Sequence, residues 1–393
     1  MGFVPRLLGA ELQRAAHGFP ALILTGPRRA GKTTLLRRLF PRASYHLLED
    51  PDLLARVRTD PQGFLDDVRL PAILDEIQNA PELLGYVRTR IDAAPRRVGR
   101  WLLTGSQEAG LMRGVSESMA GRAAVFHLLP LSTRESPKVS LLRGGFPEVL
   151  ARPSHAATWF RSYVQTYLER DVRSLSAIRD LATFRRFIAL VASRCGQILN
   201  KSDLAAPLGV SVPTIAEWLG ILEITGQILL VPPFFENFGK RLIKSPKLYF
   251  VDSGLACHLL GIETASMLER SPFRGAVFEG YVAAELVKQQ INSGRAKELY
   301  YFRDQQGLEV DFVLTRGAGR LCLVEAKAGR TVLPAAAGPI ARLSRSMDRY
   351  QVEGFVVHGG SSTAGTTALI PGVRAVTLGQ LIDLVSPSRR VHR

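Results

Sequence analysis

The sequence predicts an α/β chain in three parts: a parallel sheet wrapped in helices, a helical middle region, and a second α/β unit. Three observations carry this. Residues 20 to about 130 alternate short apolar runs with helical segments. Residues near 155–230 place apolar side chains, among them Trp159, Tyr163, Phe184 and Phe187, at spacings of three and four. From about residue 275 a helical pattern, Val277–Gln290, leads into strand-like runs at Leu299–Phe302, Glu309–Leu314 and Leu321–Ala326. A chain of 393 residues exceeds one core, and the expected domains are 1–150, 151–270 and 271–393.

Five strands are expected in the first part: Ala21–Leu24, Ser44–Leu48, Ala72–Leu74, Trp101–Thr104 and Val125–Leu129. The first runs into Gly26-Pro27-Arg28-Arg29-Ala30-Gly31-Lys32-Thr33, a full G-x-x-x-x-G-K-[ST] phosphate loop. The two glycines permit a tight turn, so that backbone N–H groups along Gly26, Arg29, Ala30, Gly31 and Thr34 face phosphates. Lys32 supplies a point charge there and the Thr33 hydroxyl ligates Mg²⁺. The expected ligand is a nucleoside triphosphate, ATP, with Mg²⁺.

The third strand ends in Asp75-Glu76. Asp75 is expected to hold the metal and Glu76 to polarise the attacking water. The fourth strand ends in Thr104-Gly105-Ser106, which puts Ser106 where the γ-phosphate is sensed, although the tripeptide is also ordinary turn chemistry. Phosphoryl transfer also calls for positive charge on the transition state, and an arginine from a neighbouring subunit can supply it. Arg122 before the fifth strand is the candidate; Arg113 competes with it, and a solvated surface charge is the alternative.

In the middle region, 202–211 fits a helix and turn and Val212–Glu223 a second helix, with Ser202 or Ser211 as a cap. Gln227–Val231 and Lys247–Val251 fit a winged hairpin joined by a turn near 232–237. The second helix carries Glu217 and Glu223 and no Lys or Arg, which suits major-groove reading poorly. The basic residues fall instead at Lys240, Arg241, Lys244 and Lys247. Two readings of this wing stand, phosphate contact with DNA and packing between domains or subunits.

Further on, Asp311 lies in one strand and Glu325 and Lys327 share a face of the next. With Glu279 on the preceding helix, Asp311 and Glu325 can hold Mg²⁺ while Lys327 positions water, the requirement for phosphodiester hydrolysis. The pattern resembles the PD-(D/E)xK nucleases; surface charge, or a fold kept for binding alone, are the alternatives.

The order phosphate loop, Leu-Asp-Glu-Ile-Gln (74–78), Leu-Thr-Gly-Ser (103–106), Ala-Gly-Arg (120–122) and Gly-Gly-Phe-Pro-Glu (144–148) resembles AAA+ ATPases that carry a C-terminal DUF4143 domain. Arg-Asp-Val-Arg (170–173), Asn-Phe-Gly-Lys-Arg (237–241), Phe-Val-Asp-Ser-Gly-Leu (250–255) and Glu-Val-Asp-Phe (309–312) extend the resemblance over nearly the whole chain. It implies a P-loop AAA+ parallel sheet core, a helical/winged-helix middle region and a C-terminal restriction-endonuclease-like α/β domain.

Lys and Arg number 51 against 35 Asp and Glu, a net charge of +16 that favours polyanion partners, although an arginine-rich composition alone raises charge. No apolar run is long enough for a membrane span, and a cytoplasmic location is expected. Cys195, Cys257 and Cys322 are isolated and suit buried thiols. The expected function is a DNA-dependent ATPase in repair or recombination, acting as a homo-oligomeric ring or partial ring, hexameric by preference. Two other expectations stand beside it: a nucleotide-controlled switch or scaffold in signalling or defence, and a metal-dependent nuclease gated by ATP.

Overall fold

The five apolar runs of the first part form one parallel sheet in the computed structural model, which describes residues 2–105, 118–168, 181–234, 244–317, 319–360 and 366–386. The elements are α1 (Gly9–Ala16), β1 (Ala21–Thr25), α2 (Lys32–Leu39), β2 (Ser44–Leu47), α3 (Pro51–Thr59), α4 (Pro61–Asp67), β3 (Ala72–Asp75), α5 (Leu83–Ala93), β4 (Trp101–Thr104) and β5 (Ala123–His127). The strand order is β2-β3-β4-β1-β5 with every pairing parallel. β1, β3 and β4 are buried along their full length, which is why they read as unbroken apolar runs. Helix starts follow local chemistry: Asp50 and Asp60 cap α3 and α4 by accepting backbone N–H bonds, each with a proline at the first helical position.

The middle region contains α6 (Pro147–Ala151), α7 (Ala156–Tyr163), α8 (Leu181–Ser193), α9 (Lys201–Ala205), α10 (Val212–Ile224), and a hairpin of β6 (Ile228–Val231) and β7 (Lys247–Phe250). Ser211 caps α10 as expected. Both faces of the hairpin are buried. Ile228, Leu248 and Phe250 pack against the helices, whereas Leu229, Val231, Tyr249 and Val251 enter the core of the C-terminal sheet. The hairpin is thus sandwiched between two cores rather than standing out as a wing.

After α11 (Ser253–Leu259) and α12 (Ala265–Arg270), α13 (Arg274–Asn292) opens the C-terminal unit. It continues through β8 (Leu299–Arg303), β9 (Glu309–Thr315), β10 (Arg320–Lys327), α14 (Gly338–Ser344), β11 (Gln351–His358), β12 (Thr367–Ile370), β13 (Val373–Thr377) and α15 (Leu378–Val385). The sheet is mixed, in the order β12-β13-β11-β10-β9-β8. The three expected strands are β8, β9 and β10; β11, β12 and β13 extend the sheet beyond them. All three cysteines are buried and free. Among the described residues no single helix is long and apolar enough to cross a membrane.

Candidate functional site

The phosphate loop joins the end of β1 to α2. Gly26 is required there: its φ is +135°, and a Cβ would meet the Leu128 carbonyl oxygen at 2.2 Å. Arg6 ties the loop down by donating to the Ala30 carbonyl (2.9 Å) and to Leu129 (2.6 Å) while pairing with buried Glu135 at 2.9 Å. From the middle region, Gly226 packs so closely that a Cβ would lie 3.0 Å from the Pro27 ring. Lys32 is buried and its ammonium donates to the Gly26 and Pro27 carbonyls at 2.9 and 3.1 Å, which sets its charge inside the loop.

Below the loop, Thr33 donates to both Asp75 oxygens, at 3.0 and 2.9 Å. Two residues that sequence reasoning missed complete this knot. Tyr45 on β2 donates to Asp75 at 2.7 Å and Thr104 on β4 donates from the other side. Burial, reinforced by the Asp75 bond, pushes the Tyr45 phenol above its usual range. A hydroxyl beside a carboxylate is the hard-oxygen pair that Mg²⁺ takes, so Thr33 and Asp75 fit a metal bound with triphosphate.

Glu76 follows with φ +58°, a left-handed conformation uncommon for a non-glycine residue and of a kind that clusters at functional sites. Its carboxylate accepts from Gln78 and lies 3.9 Å from the buried Arg28, which is also 3.8 Å from Glu49. These groups face a cavity of about 870 Å³, within the range of small-molecule sites. Its other wall belongs to the middle region: Pro147, Glu148, Trp159, Ser162, Tyr163 and Thr166. Trp159 stacks on Tyr163 at 5.0 Å, and both rings face the nucleotide cavity. Thr34 and exposed Arg29 line the opposite side.

Arg122 stands immediately before β5, beside the start of β1 and at the sheet end opposite the phosphate loop. It pairs with Asp92 through two bonds of 2.6 and 3.0 Å. From that end Arg122 does not line the cavity at the phosphate loop. Ser106, Arg113, Lys240 and Arg241 lie outside the described residues.

Lys244 is exposed, but Lys247 corrects the reading of a basic wing. It is buried on the Tyr249 face of β7, 3.0 Å from Glu279, 2.5 Å from Glu309 and 3.4 Å from Asp311. Burial opposes its charge and the three carboxylates overcome that, holding the ammonium above the ordinary lysine range. Phosphate cannot reach it. The C-terminal residues do come together: Asp311 accepts from the Ala326 N–H at 2.9 Å, Lys327 pairs with Glu325 at 2.8 Å, and Tyr249 donates to Glu279 at 2.6 Å. Burial and the Asp311 charge push both Glu279 and Glu325 up to about 7. A divalent cation does not fit this arrangement. Among the described residues no three acidic, histidine or cysteine groups converge on one point, because the Lys247 ammonium lies among them.

Three family models match the chain. A family model described as an AAA domain matches residues 18–136, one described as domain of unknown function DUF8612 matches 134–266, and one described as DUF4143 matches 274–378. The chain is 33% identical over 391 residues to the uncharacterized protein Rv2008c of Mycobacterium tuberculosis, covering 96% of this chain and 86% of that one. The same figures hold for the uncharacterized protein Mb2031c of Mycobacterium bovis. Among solved structures, the Walker-type ATPase PABY2304 of Pyrococcus abyssi superposes with a TM-score of 0.43 at 16% identity, over 64% of this chain and 94% of that one. RuvB of Thermotoga maritima gives 0.30 at 17% identity, over 57% and 86%.

Proposed function

The chain belongs to the family of AAA+ ATPases that join an AAA domain to a C-terminal DUF4143 domain, and from that premise we propose that it hydrolyses ATP with Mg²⁺ and that DNA stimulates the reaction. One observation carries the hydrolytic reading: Thr33 and Asp75 are in contact beneath the phosphate loop, with Glu76 beside them on one cavity. Lys32 and the loop N–H groups bind the phosphates, Thr33 and Asp75 hold the metal, and Glu76 orients water toward the γ-phosphate. Mg²⁺ held by Thr33 and Asp75 would supply neutralisation of the charge on the phosphates. Ser106 as a γ-phosphate sensor and Arg122 as a contributor to a neighbouring site in a ring belong to the same proposal.

DNA as the partner rests on the net charge of +16, and repair or recombination is its setting. Contact through phosphates at Lys240, Arg241 and Lys244 is favoured over base reading, because Glu223 of α10 faces Lys297 of the C-terminal unit across 4.0 Å. The purified protein is expected to hydrolyse ATP faster with single-stranded, duplex or branched DNA. Lys32→Ala should abolish turnover, and Glu76→Gln should lower kcat by about 10²-fold or more while ATP still binds. No stimulation by any of the three DNAs overturns the DNA reading; an unchanged rate in Lys32→Ala overturns the site.

A nucleotide-controlled switch is the second reading, favoured by one feature: α6 and α7 of the middle region line one wall of the cavity, so occupancy is felt outside the AAA domain. Slow, DNA-insensitive turnover with ATP-dependent assembly selects it.

A further inference from the structure

The acidic centre of the C-terminal sheet holds a cation that the chain itself supplies. Residues 247, 249 and 251 alternate onto the face of β7 that meets the C-terminal core. Val251 and the ring of Tyr249 fill the core there, and Lys247 delivers an ammonium that is 2% exposed. Its three carboxylate neighbours come from two different elements, Glu279 from α13 and Glu309 and Asp311 from β9. The ring of Tyr301 on β8 lies 5.7 Å away as a further cation contact. Outer partners fix the carboxylates in turn: Tyr249 on Glu279, Arg303 on Glu309 at 3.1 Å, and the Ala326 N–H on Asp311.

We infer that Lys247 takes the place of a divalent metal in this centre, making it an ionic lock that fastens the β6–β7 hairpin to α13 and β9 rather than a nuclease site. The distances agree. Oxygens at 2.5, 3.0 and 3.4 Å surround the nitrogen as ion-pair partners, whereas Mg²⁺ needs all of its oxygens at about 2 Å. A metal drawn in beside a buried ammonium meets like charge at short range in a region of low dielectric. Glu325, which completes the pattern of a cleaving site, is left out of the lock. It takes Lys327 on one oxygen, and its other oxygen is buried without a hydrogen-bond partner. The C-terminal domain therefore binds or docks without cutting, and Lys247 adds an ionic fastening to the apolar packing that already seats the hairpin on it.

The inference does not depend on ATP, so it is tested on full-length, nucleotide-free protein with Mn²⁺ as the probe, its uptake followed by electron paramagnetic resonance. The wild type should take up no Mn²⁺ that Asp311→Asn removes, and should not cleave DNA with Mg²⁺ or Mn²⁺. Lys247→Met keeps the stem and deletes the charge. It should gain at least tenfold in Mn²⁺ affinity, and its lowered thermal midpoint should rise again when Mn²⁺ is added. One Mn²⁺ bound by the wild type and lost in Asp311→Asn overturns the inference. So does a Lys247→Met variant with an unchanged midpoint and no Mn²⁺ uptake. Where Lys247→Met fails to fold, the comparison of wild type with Asp311→Asn decides.

Discussion

Thr25 and His127 are paired across β1 and β5, one residue before the phosphate loop begins. The Thr25 hydroxyl lies 3.2 Å from the imidazole. Burial, with the Lys32 charge adding to it, pulls the ring down to about 4 against a backbone hydrogen bond with Thr25. The unfolded chain holds its imidazole near 6.5, so the unfolded state takes up the proton first as pH falls. Stability is complete above about pH 6.5 and is lost between there and about pH 4, by on the order of 3 kcal/mol. As the pH is lowered from 6.5 to 4, the thermal midpoint of the wild type should fall more steeply than that of His127→Gln. Equal slopes from pH 7 to 4 in the two proteins would contradict the assignment. Because Lys32 is one source of the shift, nucleotide binding should couple to the same proton.

Helix α13 joins the ATPase domain to the C-terminal sheet through one buried pair. Glu285 accepts from the Thr133 N–H at 2.8 Å and from its hydroxyl at 2.7 Å, and Lys288 donates to Glu285 at 3.0 Å and to the Leu131 carbonyl at 3.2 Å. Both side chains are almost wholly buried, so removing one leaves an uncompensated charge, which costs about 3–5 kcal/mol. Glu285→Ala should therefore lower the thermal midpoint strongly, and Glu285→Gln, which still accepts from Thr133, should lower it less. A midpoint unmoved in Glu285→Ala would show that the pair does not join the two parts. Such contacts explain what was legible at this scale. The phosphate loop and its five strands were readable because each signal is local: an apolar run, a glycine turn, carboxylates at a strand end. Lys247 was misread because its partners lie as far as 64 residues away, and a lysine is almost never fully buried unless paired. Tyr45 and Thr104 had a usable signal, since β2 and β4 both pair in register with β3 and flank Asp75. Trp159 and Tyr163 could be placed in a core from spacing alone, but spacing does not say that the same rings also face the cavity.

At the scale of the whole molecule, the phosphate loop and Arg122 lie at opposite ends of the first sheet. Within one chain, the sheet end that carries the phosphate loop gathers Lys32, Thr33, Asp75 and Glu76, whereas Arg122 lies at the other end, bound to Asp92 on its own surface. The hydrogen bond from Arg122 holds the Asp92 carboxyl below its usual range, and an exposed pair of this kind contributes little to stability. Breaking it to reach a neighbour's triphosphate is therefore cheap, while an arginine delivered to the transition state contributes about 10³–10⁵ in rate. Arg122→Ala should fold with an unchanged thermal midpoint and lose most turnover. Lys32→Ala should be inactive with its Arg122 intact. If Arg122 acts on a neighbouring chain, mixing the two inactive proteins must restore activity, because some interfaces then pair an intact loop with an intact arginine. The regained rate should rise with protein concentration and fall as salt separates the subunits. A mixture no more active than its components would confine Arg122 to the Asp92 pair and return the search to the other arginines that can reach an interface.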